Sequence, residues 1–222
     1  MYDNTSVAIL RPVENIEKIK LIKNTYLLLS ATLFFSCLMA MIAVMTHVTH
    51  VNILLFIAGS YGLLFVTHYL KNSSLGILSV FCFTGFMGYA LGPILNMVLH
   101  LNNGVSIIMV AFGSTGAIFL SLSAYALITK KDFSYLIGFL MVGLLTVLLT
   151  SLANLILGLP ILNLAISALF VLVSSGLILY DTSRIINGGE TNYIIATISL
   201  YISIYNLFIS LLQLMTALRG RE

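Results

Sequence analysis

The sequence predicts an all-α integral membrane protein with seven transmembrane helices, and three observations lead there. Of its 222 residues, 60% are hydrophobic and only 8% charged. A soluble globular domain carries about 25% charged residues, so this chain lacks the polar material to coat a water-facing surface. Mean hydropathy is +1.10, and the apolar residues gather in seven runs separated by short polar breaks such as "KNSS", "TKKD" and "NGGETN". Each run is about as long as the 20 or so residues needed to cross a hydrocarbon core of roughly 30 Å. None alternates at strand period, and a helix satisfies its own backbone in lipid.

The spans are read in order at residues 25–46, 52–70, 75–99, 105–128, 133–157, 161–186 and 193–217. Residues 1–24 precede the first. Their Arg11, Glu14, Glu17, Lys18, Lys20 and Lys23 leave no apolar stretch for a signal peptide. The chain therefore divides into a polar N-terminal tail, 1–24, and a single transmembrane domain, 25–222. Span two carries His68 near one end, read as a structural, hydrogen-bonded residue. In span three, Gly92-Pro93 should bend or break the helix, because proline lacks a backbone donor and clashes one turn back. Small residues in "GYALG" (Gly88 to Gly92) and at Gly113, Gly116 and Ala117 let helices approach closely in lipid. Ordinary bundle packing is the plainer reading of these small residues.

Lys and Arg set the orientation. The tail holds Arg11, Lys18, Lys20 and Lys23, and the connections after spans two, four and six add Lys71, Lys130, Lys131 and Arg184. The other three connections hold only His47, His50 and His100. The N-terminus is thus expected in the cytoplasm and the C-terminus outside, although Arg219 and Arg221 sit against that rule. A net charge of +3 is an orientation signal rather than a nucleic-acid face.

Catalytic constellations are scarce. There is no HExxH, no phosphate-cradling glycine loop and no GxSxG. Cys37 and Cys82 lie in apolar runs, where a thiol acts as a small hydrophobe. The expectation is a non-enzyme without metal or cofactor. Asp181 stands apart. A carboxylate at the centre of a span costs roughly 2.5–3.5 kcal/mol on insertion scales, so by default it marks function. Span six is about 39 Å long at 1.5 Å per residue, which leaves Asp181 about 7–8 Å from its end. The alternative is an interfacial acid paired with Arg184 three residues on, worth a few tenths of a kcal/mol. Beyond it, "NGGETNY" offers glycines for a left-handed helix stop and Thr191 or Asn192 as the next N-cap. Glu190 falls beside that N-terminus, where the helix dipole favours an anion.

Three stretches carry a resemblance. "FTGFMGYALGPILN" (Phe83 to Asn96), "LYDTSRIINGGETNYI" (Leu179 to Ile194) and "SLYISIYNLFISLL" (Ser199 to Leu212) resemble the Bax inhibitor-1 (TMBIM) family, and within it the bacterial YccA-like branch. The likeness runs from about Asn24 onward. It implies six helices packed around a central, hydrophobic seventh, in a bacterial inner membrane. For the branch it implies association with the membrane-embedded ATP-dependent protease FtsH, whose proteolysis of membrane substrates its members restrain. For the wider family it implies a pH-sensitive calcium leak, in which an aspartate of span six exchanges a proton with one of span seven. The first aspartate falls on Asp181. The second falls on Ser203, aligned through "IYNLF", and serine does not titrate. Protease modulation therefore ranks above the leak. The expected polar network is Asp181, Ser203, Arg184 and Asn206, with Asp181 bonded across to Ser203 or to Arg184. The expected partner contact is Lys18, Lys20 and Lys23, with lipid around the bundle and no nucleic acid.

Overall fold

Residues 4–219 are described in a computed structural model, with side chains described over 16–218. The described chain is helical: α1 Asn4–Met45, α2 Ile53–Leu70, α3 Leu75–Ala90, α4 Gly92–Leu99, α5 Gly104–Thr129, α6 Leu136–Leu157, α7 Pro160–Asn187 and α8 Tyr193–Arg219. Seven spans are long and apolar enough to cross a membrane, α3 and α4 together making the third, Leu75–Leu99. From Asn4 onward the polar N-terminal segment is helix, continuous with the first span. α1 runs through Pro12, which removes one backbone donor, and its straight-chain charged residues lose little rotamer freedom in a helix.

Span three breaks where Gly92-Pro93 predicts. Leu91 donates its N–H to the Gly88 carbonyl at 3.1 Å, and Pro93 opens α4 in its first turn. There the missing donor costs nothing.

The last span is the core. Leu200, Tyr201, Leu207 and Leu212 of α8 are essentially inaccessible. α8 packs against α1, α3, α5 and α7, while α2 rests on α3 and α6 on α7. Glycines set the closest approaches. A Cβ on Gly88 would collide with the Ser36 carbonyl oxygen of α1, and one on Gly85 would lie 2.6 Å from the Phe35 ring. Between α6 and α7 the sockets are reciprocal: Gly143 receives Val173, and Gly176 receives Leu140. Gly113 and Gly116 behave differently. No described residue lies within 4 Å of a Cβ at either position, so these two glycines make no close contact with another described helix.

Three connections meet at one end of the bundle. Asn192 donates to the Lys71 carbonyl and to Asn72 Oδ1, each at 3.0 Å, joining the α7–α8 and α2–α3 loops. Ser183 Oγ accepts from the Phe133 N–H at 2.9 Å and donates to the Lys131 carbonyl at 3.0 Å, tying α7 to the α5–α6 loop. In that loop Asp132 Oδ1 accepts from the Ser134 hydroxyl at 2.6 Å and its N–H at 2.8 Å. These bonds hold the Asp132 carboxyl below the usual aspartate range. A lowered folded value stabilises above the unfolded pKa of about 3.9, and the contribution disappears as pH falls through the folded value. Proteolytic nicking of this loop is thus expected to rise only below about pH 4. Asp132→Asn, which accepts the same bonds without charge, should flatten that rise.

Candidate functional site

The site forms where the last turns of α7 meet the first half of α8. α7 stops because Gly188 adopts a left-handed φ of 80°, and the N–H groups of Gly188 and Gly189 return to the Arg184 carbonyl. α8 starts because Asn192 Oδ1 accepts from the N–H of Ile194 at 2.9 Å and of Ile195 at 3.2 Å. Between them, Glu190 Oε1 accepts from the N–H groups of Thr191 and Asn192, both at 3.0 Å. Those donors belong to a helix start, where an anion is favoured.

This framing carries Asp181 against α8. Asp181 is 8% exposed and Ser203 2%, and the Ser203 hydroxyl donates to Asp181 Oδ2 at 3.4 Å. That is long for an O–H···O bond, whose usual length is about 2.7–2.8 Å. One turn on, Arg184 turns to the loop: its Nη2 lies 3.3 Å from Glu190 Oε2 and donates to the Gly189 carbonyl at 3.1 Å. Its guanidinium also sits over the Tyr180 ring, 5.6 Å from the centroid. The acid paired with Arg184 is thus Glu190 rather than Asp181, because the αL turn at Gly188 folds Glu190 back over the end of α7. Asp181, Arg184, Ile185, Glu190, Ala196 and Ser199 line one narrow crevice.

The remaining expected residues lie elsewhere. Asn206, almost one turn beyond Ser203, lines a separate cavity between α6, α7 and α8. Lys20 and Lys23 are exposed on α1. Lys18 approaches the α7–α8 turn, its Cε 3.5 Å from where a Cβ on Gly188 would sit. His68 is solvent- or lipid-facing and makes no hydrogen bond to a described residue. It is not the bonded residue that the sequence suggested, because α2 rests on α3 and leaves that face uncovered. Cys37 and Cys82 are free and exposed. Among the described residues, no three His, Cys, Asp or Glu side chains gather as a metal site.

One tie escaped the sequence reading. Tyr201 in α8 shares a 2.7 Å hydrogen bond with Ser36 Oγ of α1 and donates to the Thr84 carbonyl of α3 at 3.2 Å. A tyrosine in an apolar run gives no sign of which helices its hydroxyl will reach. The arrangement as a whole supplies one buried carboxylate, a hydroxyl partner for it and a partly buried ion pair. It offers a polar lock between helices and, among the described residues, no second acid within hydrogen-bond reach of the first.

Comparison with known proteins places this geometry. Residues 19–220 match the family described as "Inhibitor of apoptosis-promoting Bax1". The chain belongs to the Bax inhibitor-1 family. Among its relatives, the "Modulator of FtsH protease YccA" of Escherichia coli K12 is 50% identical over 196 residues, covering 88% of this chain and 89% of that protein. The "Inner membrane protein YccA" of Escherichia coli O6:H1 matches with the same identity and coverage. An uncharacterized protein of Pseudomonas aeruginosa, PA2604, is 52% identical over 211 residues, covering 95% of this chain and 93% of its own. As a Bax inhibitor-1 family member, this chain is a multi-pass membrane protein. The family resemblance of the three motifs thus extends to nearly the whole chain.

Proposed function

We propose that this chain resides in a bacterial inner membrane, N-terminus in the cytoplasm, and binds and restrains a membrane-bound ATP-dependent protease of the FtsH type. The observation that carries the reading is the 50% identity, over 88% of the chain, to a relative named as a modulator of that protease. The site is consistent with it. A modulator needs a stable membrane-embedded surface rather than a reacting group, and Asp181 has a hydroxyl opposite it rather than a second acid. The exposed Lys20 and Lys23, with Lys18 beside the α7–α8 turn, are the proposed protease contact. No catalytic role is assigned to any residue.

The test is co-purification. The protease should be recovered with the tagged chain from membranes, and overexpression should slow degradation of a membrane substrate. Reversing the charge of Lys18, Lys20 and Lys23 together should lower recovery of the protease several-fold. Loss of neither recovery nor inhibition would remove these lysines from the contact, and absence of both in the unaltered chain would sink the reading. The buried Asp181 favours one competing reading, a calcium leak along the α7–α8 seam. Liposomes holding the chain would then pass calcium, and Asp181→Asn would change the rate.

A further inference from the structure

The cavity that Asn206 lines has a volume of about 560 Å³ and an unusual wall for the interior of a membrane. Ser151 of α6, Asn163 and Ser167 of α7, and Asn206, Ser210 and Gln213 of α8 face it, with leucine, isoleucine and Phe170 between them. It begins at the α6–α7 turn, since Gly158 is part of the wall. It ends at Phe170, about 15 Å along α7 from Pro160, and at Asn206, about 20 Å along α8 from Arg219, at 1.5 Å per residue. The cleft therefore runs from one end of the bundle to about the middle of α7 and α8.

Its polar groups are under-used. Asn154 donates to Asn163 Oδ1 at 2.6 Å, and Ser167 donates to Gln213 Oε1 at 2.9 Å. The amide NH₂ groups of Asn163 and Gln213 donate to no described residue. The Asn206 carboxamide and the Ser151 hydroxyl bond to no described residue, and neither is sealed from solvent. Polar groups without partners in an apolar medium are costly, whereas a polar cavity of this size holds water readily. No charged side chain of a described residue lines the wall, so no described group there offsets the desolvation of an ion.

We propose that the α6–α7–α8 cleft is a water-filled vestibule, entered from the end of the bundle that bears the α6–α7 turn, which admits small uncharged hydrogen-bonding solutes and discriminates against ions of both signs. The proposal goes beyond protease modulation and stands independently of it. The vestibule stops almost one turn short of Ser203, so Asp181 is not part of its wall.

The test uses the full chain in sealed vesicles, with Cys37 and Cys82 replaced by alanine. Ser151→Cys, Asn206→Cys and Ser210→Cys are exposed to three membrane-impermeant methanethiosulfonates: a neutral glucosyl, a cationic trimethylammonium and an anionic sulfonate reagent. Rates are normalised to a small free thiol, and Leu149→Cys, at a site 64% exposed on α6, serves as the lipid-facing control. The expected result is modification of the vestibule positions from one face only. It should be at least tenfold faster than at the control and at least fivefold faster with the neutral reagent than with either charged one. Ser151→Cys and Ser210→Cys are near-isosteric, so a folding failure at Asn206→Cys leaves the test intact. Rates no faster than the control would mean that lipid or a helix fills the cleft. Fastest modification by the cation would mark an ion path. Either result overturns the proposal.

Discussion

Gly88→Ala is expected to destabilise the bundle by about 1–3 kcal/mol, the usual cost of forcing extra atoms into a packed interior. The added Cβ would collide with the Ser36 carbonyl oxygen and meet its hydroxyl at 2.6 Å. Backbone cannot swing aside as a side chain can, so α1 and α3 would have to separate. Separation also pulls Ser36 away from Tyr201, its hydrogen-bond partner in the central helix. Gly113→Ala is the matched comparison. No described residue lies within 4 Å of that Cβ, and a helix-interior alanine is about 1 kcal/mol better than glycine. Unfolding in graded SDS should separate the two variants clearly. Equal stabilities would show that the α1–α3 contact is looser than these distances require.

Tyr201→Ala is expected to cost more, about 3–5 kcal/mol, as for other large aromatic truncations in a core. The ring is fully buried, lies edge-on to Phe83 at 5.9 Å and stacks on Tyr205 at 6.1 Å. Tyr201→Phe isolates the hydroxyl. It keeps the ring contacts but leaves the Ser36 hydroxyl and the Thr84 carbonyl without their shared partner. Hydrogen bonds inside membrane proteins average about 0.6 kcal/mol and reach about 1.7, so Phe should cost about 1 kcal/mol. The same SDS titration reads both variants. A phenylalanine variant as unstable as the alanine one would place the energy in the hydroxyl rather than the ring.

The fold was legible because each span is long, apolar and bounded by polar residues that no lipid phase accepts. Even the break at Leu91 followed from one dipeptide, Gly92-Pro93. Packing was less legible. "Small residue" describes Gly88 and Gly113 equally, but only Gly88 faces another backbone, and the choice depends on helix rotation. At the site, Asp181 and Ser203 meet across α7 and α8, whereas Arg184 chose an acid six residues away through a turn that spacing along a helix does not describe. The vestibule had a signal that went unused. Asn206, Ser210 and Gln213 recur at intervals of four and three residues, which is one face of a helix.

The burial of α8 at the centre also bears on how the chain is assembled. It is the last of the seven spans to leave the ribosome, about 27 residues' worth of synthesis at roughly 5–20 residues per second. Until it arrives, the earlier six have no helix to close around. Ser36 and Thr84 lack Tyr201, and Asp181 lacks Ser203. A nascent chain stalled before residue 193 therefore presents polar groups, a carboxylate among them, to lipid. Insertion of one helix supplies Tyr201 and Ser203 to all of these groups at once.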